Sequence, residues 1–373
     1  MGGKYGVGGQ IEWELIRGAA NEVIRFEYSS FSLEIGLNLN ETEFHYLIEV
    51  GHSIGTGDEI LPGPFQVTKE KLEAGSKTIY SAIRDDSGNL RVTETDLKFK
   101  QLKLESKRPL LSTLAPHFLE PLDTDEWTDL SPAMFDAFEI LDSVLREFVR
   151  MRFFELSLDR MREPSFPGAT VLGDSGENLP TVLEKICADS KRQETLASWL
   201  QELTPMDVKG FEFPRDPSGR VHLMISEKNG RKVSAYSASD GTLRFLAMLA
   251  VLLGENPSGL YFFEEIDTGI HPARQWLLLE LIEKQAAKNN IQVITTTHAP
   301  DLLTFVNDST FEHLSVVCRL EDSQDAIIRP VAELPNAKKL RTSQGGLGRL
   351  LTSRWMETAL AFTEDYDEAE DDL

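Results

Sequence analysis

Cysteine is nearly missing from these 373 residues, with two in all, Cys187 and Cys318. So few, so far apart, exclude a disulfide framework or a Cys-based metal site and read as buried free thiols in a reducing compartment. Uninterrupted apolar runs are also lacking: none approaches the roughly 18 residues that a membrane span requires. The start, MGGKYGVGGQIEWEL, lacks the basic-then-apolar pattern of a secretory leader, so a cytoplasmic protein is expected. Basic residues are the minority, 38 against 61 acidic, giving a net charge of −23. Seven of those charges fall in Glu364–Leu373, which leaves −16 for the rest and marks the terminus as an unstructured acidic tail. This excess argues against a surface wrapped in nucleic acid. DNA contact would fall to a local patch, Lys98, Lys100, Lys103, Lys107 and Arg108, which reads first as a solvated strand face. Finally, no Gly-x-x-x-x-Gly-Lys-Ser/Thr string occurs anywhere. Gly2-Gly3-Lys4-Tyr5 has no strand before it and a tyrosine where a hydroxyl ligand to Mg²⁺ would stand.

What the chain does have is concentrated between Ser237 and Leu303. Ser239-Asp240-Gly241-Thr242 opens an apolar helix (Leu243, Phe245, Leu246, Met248, Leu249, Leu252), a turn that turns backbone N–H groups and a positive helix end toward an anion. Leu260-Tyr261-Phe262-Phe263 has the apolar character of a buried parallel strand and runs into Glu264-Glu265. One such carboxylate can hold Mg²⁺ and its neighbour can polarise a water. Asp267, Gly269 and His271-Pro272 form a tight connection into a helix begun by Pro272. Ile291 to Thr296 is a second apolar strand that delivers Thr297-His298 to the same edge, so Leu260–Phe263 and Ile291–Thr296 are expected as neighbouring parallel strands, both inside the sheet.

Each signal alone has an ordinary explanation. A Glu-Glu pair is usually a solvated loop charge, a histidine after a strand usually a hydrogen-bonding residue, and Ser-Asp-Gly usually a helix cap. Their order around two buried strands favours a shared site.

In that order the residues resemble the C-terminal half of an ABC-class ATPase head, within the bacterial AAA-type core family that includes AbiEii-like and OLD-like ATPases and is related to RecF and chromosome-maintenance heads. SDGTLR, EE followed by HP, and TTH followed by proline carry the resemblance. It implies ATP and Mg²⁺ as cofactors, Ser239, Asp240, Gly241 and Thr242 as the signature turn, Glu264 as the metal-side acid and Glu265 as the catalytic glutamate. Asp267 would be the D-loop residue and His298 the switch histidine. It implies a P-loop NTPase fold with an antiparallel β subdomain and a helical subdomain. A homodimer through the heads is implied, with a separate nuclease or toxin as a candidate partner, DNA as a candidate ligand, and a role in DNA repair or phage defence. A strand, P-loop and helix of roughly 30 residues would precede the present Met1, so the head is expected to be N-terminally truncated. A truncated product, a mis-assigned start and a degenerate paralogue all remain open. The alternative function is a non-catalytic regulatory module that completes a partner's site in trans.

The rest of the chain is expected in four parts: 1–110 β-rich, 111–205 helical, 206–335 the ATPase lobe and 336–373 a C-terminal helix and tail. Alternating segments at 23–28, 31–37, 43–50, 78–83, 90–95 and 97–104, with turn residues at 85–89, make an antiparallel section. Three- and four-residue apolar spacing predicts helix over 131–158 and 181–203, with the stretch Gly173–Pro180 capping the latter. Strands follow over 208–226, 231–236, 314–319 and 326–331, with a turn at Lys228-Asn229-Gly230.

Overall fold

The structure is a computed structural model that describes residues 29–52, 65–85, 89–95, 109–111, 132–254, 258–319, 326–343 and 346–362. The expected strands at 23–28 and 97–104, the Lys98–Arg108 patch and the acidic tail lie outside those residues. The chain divides into two compact units, Met1–Met151 and Arg152–Leu373.

In the first unit, alternation along the chain becomes a meander of five antiparallel strands in sequence order: β1 (Ser30–Leu39), β2 (Thr42–His52), β3 (Phe65–Ala74), β4 (Lys77–Arg84) and β5 (Leu90–Glu94). Asn40 and Glu41, both at positive φ, make the two-residue turn that matches strand twist. Asp85 and Asn89 close the expected β4–β5 turn through a backbone bond of 2.9 Å. Phe44, Tyr46, Val67, Leu72, Tyr80 and Leu90 face one core with Leu110, Leu111 and the Leu141–Val144 face of helix α1 (Pro132–Arg150). Strand β3 was not expected, because FQVTKEKLEA puts charge on both faces. Its Glu70 is fully buried, a position that periodicity assigns to an apolar residue.

The helix expected over 131–158 ends at Arg150. Met151–Phe154 is instead a strand, β6, in the order β11-β10-β6 with β10 (Leu260–Phe263) and β11 (Gln292–Thr295). Aromatic stacking explains the switch: Phe153 lies 4.2 Å from Phe262, and Phe154 5.1 Å from Phe263, with nearly parallel rings. A helical continuation would give up both pairs.

In the second unit, β6 is followed by α2 (Leu158–Arg162), α3 (Leu179–Cys187), α4 (Ser190–Leu203) and a small antiparallel sheet of β7 (Val208–Glu212), β8 (Met224–Glu227) and β9 (Lys232–Ser234). Helices α3 and α4 pack into this unit's core, whereas α1 packs on the sheet of the first. Within the expected capping stretch, Asn178 stands at the N-cap of α3 but its side chain makes no capping bond. Its amide accepts from Gly173 N–H at 2.8 Å and donates to the Val171 carbonyl at 2.9 Å, stapling the preceding loop.

Helix α5 (Asp240–Leu252) is buried on nearly every side, as its continuous apolar run requires. Strands β10 and β11 are parallel neighbours, Phe263 level with Thr295, joined through α6 (Gln275–Asn289), which the left-handed Asn290 ends. The expectation that both are interior is corrected: among the described residues β11 is an edge, and Ile294 is 50% exposed. A third cluster contains Val306, Phe311, Val316, Val331, Leu347 and Leu360, with α7 (Pro300–Leu303), α8 (Asp308–Phe311), the hairpin of β12 (Ser315–Arg319) and β13 (Ala326–Pro330), α9 (Ala337–Ser343) and α10 (Leu347–Thr352). Both cysteines are half-buried rather than buried. Burial pushes the Cys187 thiol up to about 12. Among the described residues no helix is long and apolar enough to cross a membrane.

Candidate active site

Parallel strands end on the same side, so the β10–β11 register sends Glu264-Glu265 and Thr296 to His298 out of one sheet edge. Backbone pairing continues past the strands: Thr296 N–H donates to the Phe263 carbonyl at 3.2 Å and Ile266 N–H to the Thr296 carbonyl at 3.3 Å. Glu265 then turns sharply at φ 46°, a left-handed conformation for a non-glycine residue. Its N–H donates to Thr296 Oγ1 at 3.1 Å, and Thr268 Oγ1 donates to Glu265 Oε2 at 3.2 Å. Two successive turns follow, Thr268 N–H to the Glu265 carbonyl and Ile270 N–H to the Asp267 carbonyl. Glu265 is thus fixed in backbone and side chain while remaining exposed.

Glu264 is exposed and has no hydrogen-bond partner among the described residues, so its oxygens are available to a ligand. No group of three or more metal-ligating side chains occurs among those residues. Mg²⁺ takes one or two carboxylates and completes its shell with phosphate oxygens and water, so this hard-oxygen donor set fits such a site and does not form an all-protein cage.

At the other turn, Ser239 caps α5. Its Oγ accepts from Thr242 N–H at 3.2 Å and lies 2.8 Å from Thr242 Oγ1. Thr242 is buried, so its hydroxyl is spent on the cap. Asp240 is exposed and ion-paired with Arg162 at 2.6 Å, which offsets negative charge that would repel an anion from the helix end. Gly241 is buried against Gly269: a Cβ on Gly241 would lie 1.9 Å from the Gly269 carbonyl oxygen, and Gly269 stands at φ 82°. One turn along α5, the Nε of Arg244 is buried with no partner among the described residues.

His298 is exposed. Thr297 Oγ1 accepts from Ala299 N–H at 3.0 Å, closing a turn around the histidine, and donates its proton to Asp267 Oδ1. No hydrogen bond joins His298 to Glu265 among the described residues. His271, before Pro272, accepts from Ala273 N–H through Nδ1 and so caps the helical turn that Pro272 begins.

The structure therefore brings Glu264, Glu265, Asp267 and His298 to one edge and holds Ser239–Thr242 against the Asp267 loop through Gly269. Sequence reasoning missed Thr296, Thr297 and Arg162. The two threonines belong to the TTH string that carries the resemblance, which assigns a role to His298 alone, and Arg162 lies 78 positions from Asp240.

Residues 189–304 match the family model described as AAA domain, putative AbiEii toxin, Type IV TA system, so that segment is similar to an AAA-type ATPase core. No curated protein matches. Among solved structures the chain is similar to an SmcHead bound to the C-winged helix domain of ScpA (10% identity, 78% of this chain and 76% of that one, TM-score 0.36). It is also similar to the SMC head domain from Thermotoga maritima (12%, 78% and 74%, TM-score 0.30). A third, from work on ATP-driven dimerization and DNA stimulated activation of SMC ATPases, shares 14% identity over 40% of this chain and 89% of that one, with TM-score 0.30.

Proposed function

We propose that this AAA-type core belongs to an ATP-hydrolysing head that works as a nucleotide-gated dimer, with Glu265 as general base. The single observation that carries the reading is the convergence of Glu264-Glu265, Asp267 and His298 on one sheet edge, with the Ser239–Thr242 turn packed against the same loop. In the reaction, Glu265 accepts a proton from a water whose oxygen bonds to the γ-phosphorus while the bond to the bridging oxygen breaks, releasing ADP and phosphate. Its Oε2 is held by Thr268, which leaves Oε1 to take the proton. Glu264 would hold Mg²⁺, which when bound neutralises charge on the phosphates. His298 would donate to the γ-phosphate from the neighbouring strand, and Ser239 with the α5 amides would bind the γ-phosphate held by the opposite subunit. DNA repair or phage defence, beside a separate nuclease or toxin, is the role we assign to such a dimer.

A second reading, a regulatory module that donates its signature turn to a partner, is favoured by one observation: the 373 residues contain no Gly-x-x-x-x-Gly-Lys-Ser/Thr cradle. One fusion separates the two. A strand–P-loop–helix segment is placed ahead of residue 1 and ATP turnover is measured with Glu265→Gln and Glu264→Ala. The enzymatic reading expects turnover that Glu265→Gln abolishes and that Glu264→Ala lowers less at raised Mg²⁺. Turnover unchanged in both variants would leave the module reading.

A further inference from the structure

Three turns make up the site, and a continuous chain of contacts runs through them. The histidine turn is closed by Ala299 N–H on Thr297 Oγ1 at 3.0 Å. The same oxygen carries one proton, and that proton goes to Asp267 Oδ1 in the acid loop. Two residues on, Gly269 closes against the α5 turn so tightly that a Cβ on Gly241 would stand 1.9 Å from its carbonyl oxygen, and a Cβ on Gly269 2.9 Å from the Gly241 Cα and N. A side chain on either glycine would force the turns apart, because backbone has no rotamer through which to yield.

Resting on the proposed ATPase reading, we propose that Thr297 and the Gly241–Gly269 contact are positioning elements that couple the three turns, so that a shift of the histidine turn is passed through Asp267 to the anion-binding end of α5. Thr297 is suited to this by its chemistry. A hydroxyl accepts one bond and donates another at once, so it joins a backbone N–H to a carboxylate where a methyl group joins neither. Gly269 is suited by its conformation, since φ 82° is open to glycine and strained for other residues. Glu265 sits inside the coupled segment, tied to the neighbouring Thr296. The response of a histidine to a phosphate on one side of the site would thereby reach the turn that binds a phosphate on the other.

Amide hydrogen exchange of the full chain without nucleotide tests this. Thr297→Val keeps the shape and removes both bonds. It is expected to speed exchange by about tenfold over residues 264–270 and also over 242–246, while Thr297→Ser restores both segments. A purely local role would change 264–270 and 298–300 and leave 242–246 as in the wild type, which overturns the proposal, as does failure of Thr297→Ser to restore the pattern. Should Thr297→Val not fold, Gly241→Ala gives the reciprocal reading. Its Cβ meets the Gly269 carbonyl directly, so exchange over 264–270 is disturbed with or without coupling. Coupling predicts faster exchange also at 298–299, across the Thr297–Asp267 bond, and wild-type exchange there overturns the proposal. Because no nucleotide is present, an inactive fusion protein leaves the coupling standing, and uncoupled turns leave the ATPase reading standing.

Discussion

The backbone N–H of Glu265 donates to Thr296 Oγ1 at 3.1 Å while Glu265 itself is held at φ 46°. A left-handed non-glycine residue costs stability, and here the neighbouring strand holds it in place. That strain separates a structural role from a chemical one.

Glu265→Gly should therefore unfold at higher urea, by about 0.5–1 kcal/mol, because glycine adopts this φ freely. Glu265→Gln should leave the midpoint unchanged and, in the P-loop fusion, lower turnover by about 10²-fold or more, since the amide cannot take the proton. Equal turnover in wild type and Glu265→Gln would remove the general base from the scheme.

Ser239 has two duties that substitution can part. Ser239→Ala removes the cap on Thr242 N–H and should cost about 1 kcal/mol. Ser239→Asp keeps a capping oxygen, so thermal unfolding should match the wild type, but its charge repels a phosphate. Sedimentation of the fusion in the Glu265→Gln background should show ATP-dependent dimers with Ser239 and monomers with Asp. Dimers in both would exclude this turn from the interface.

The 373 residues alone should bind ATP no tighter than about 1 mM, because amides and a lysine of the P-loop kind supply most phosphate contacts in such heads. Retention of labelled ATP at micromolar concentrations would call for another phosphate site, for which Arg244 Nε, without a partner among the described residues, is the first place to look.

Glu70 makes the first unit sensitive to pH. Its Oε1 accepts from Tyr80 at 2.8 Å, Tyr46 at 2.9 Å and Leu111 N–H at 3.0 Å, and Leu110 N–H also donates to the carboxylate. Burial raises its pKa above 4.5 against these donors, and burial with the nearby Glu70 charge pushes Tyr80 well above its ordinary value. The folded state thus binds the proton more tightly than the unfolded one, so stability falls as pH rises from about 4.5 through the folded pKa and is flat beyond. Glu70→Gln should abolish that slope and destabilise by about 1–3 kcal/mol, since one amide oxygen cannot serve four donors. Urea unfolding between about pH 4 and pH 8 reads both effects.

The order of the motifs, the parallel β10–β11 pair and its helical crossover were legible because they depend on local apolar runs and on turn residues a few positions apart. Helix α1 was legible for the same reason, but its end was not. Met151 to Phe154 keeps a helical spacing, and only stacking on Phe262 and Phe263, more than a hundred positions away, makes it a strand. Strand β3 was hidden by Glu70, which periodicity treats as a surface residue and which two tyrosines make tolerable inside.

The sequence by itself determined which residues carry charge to the end of each strand, since a carboxylate after an apolar run has nowhere to go but the sheet edge. Only the tertiary structure decided that Arg162 offsets Asp240, that Thr297 serves Asp267, and that Gly241 lies against Gly269. Periodicity records whether a position is wet or dry along one segment. Hydrogen bonds and close backbone contacts depend on ångström-scale distances between segments, which exist only once the core has packed.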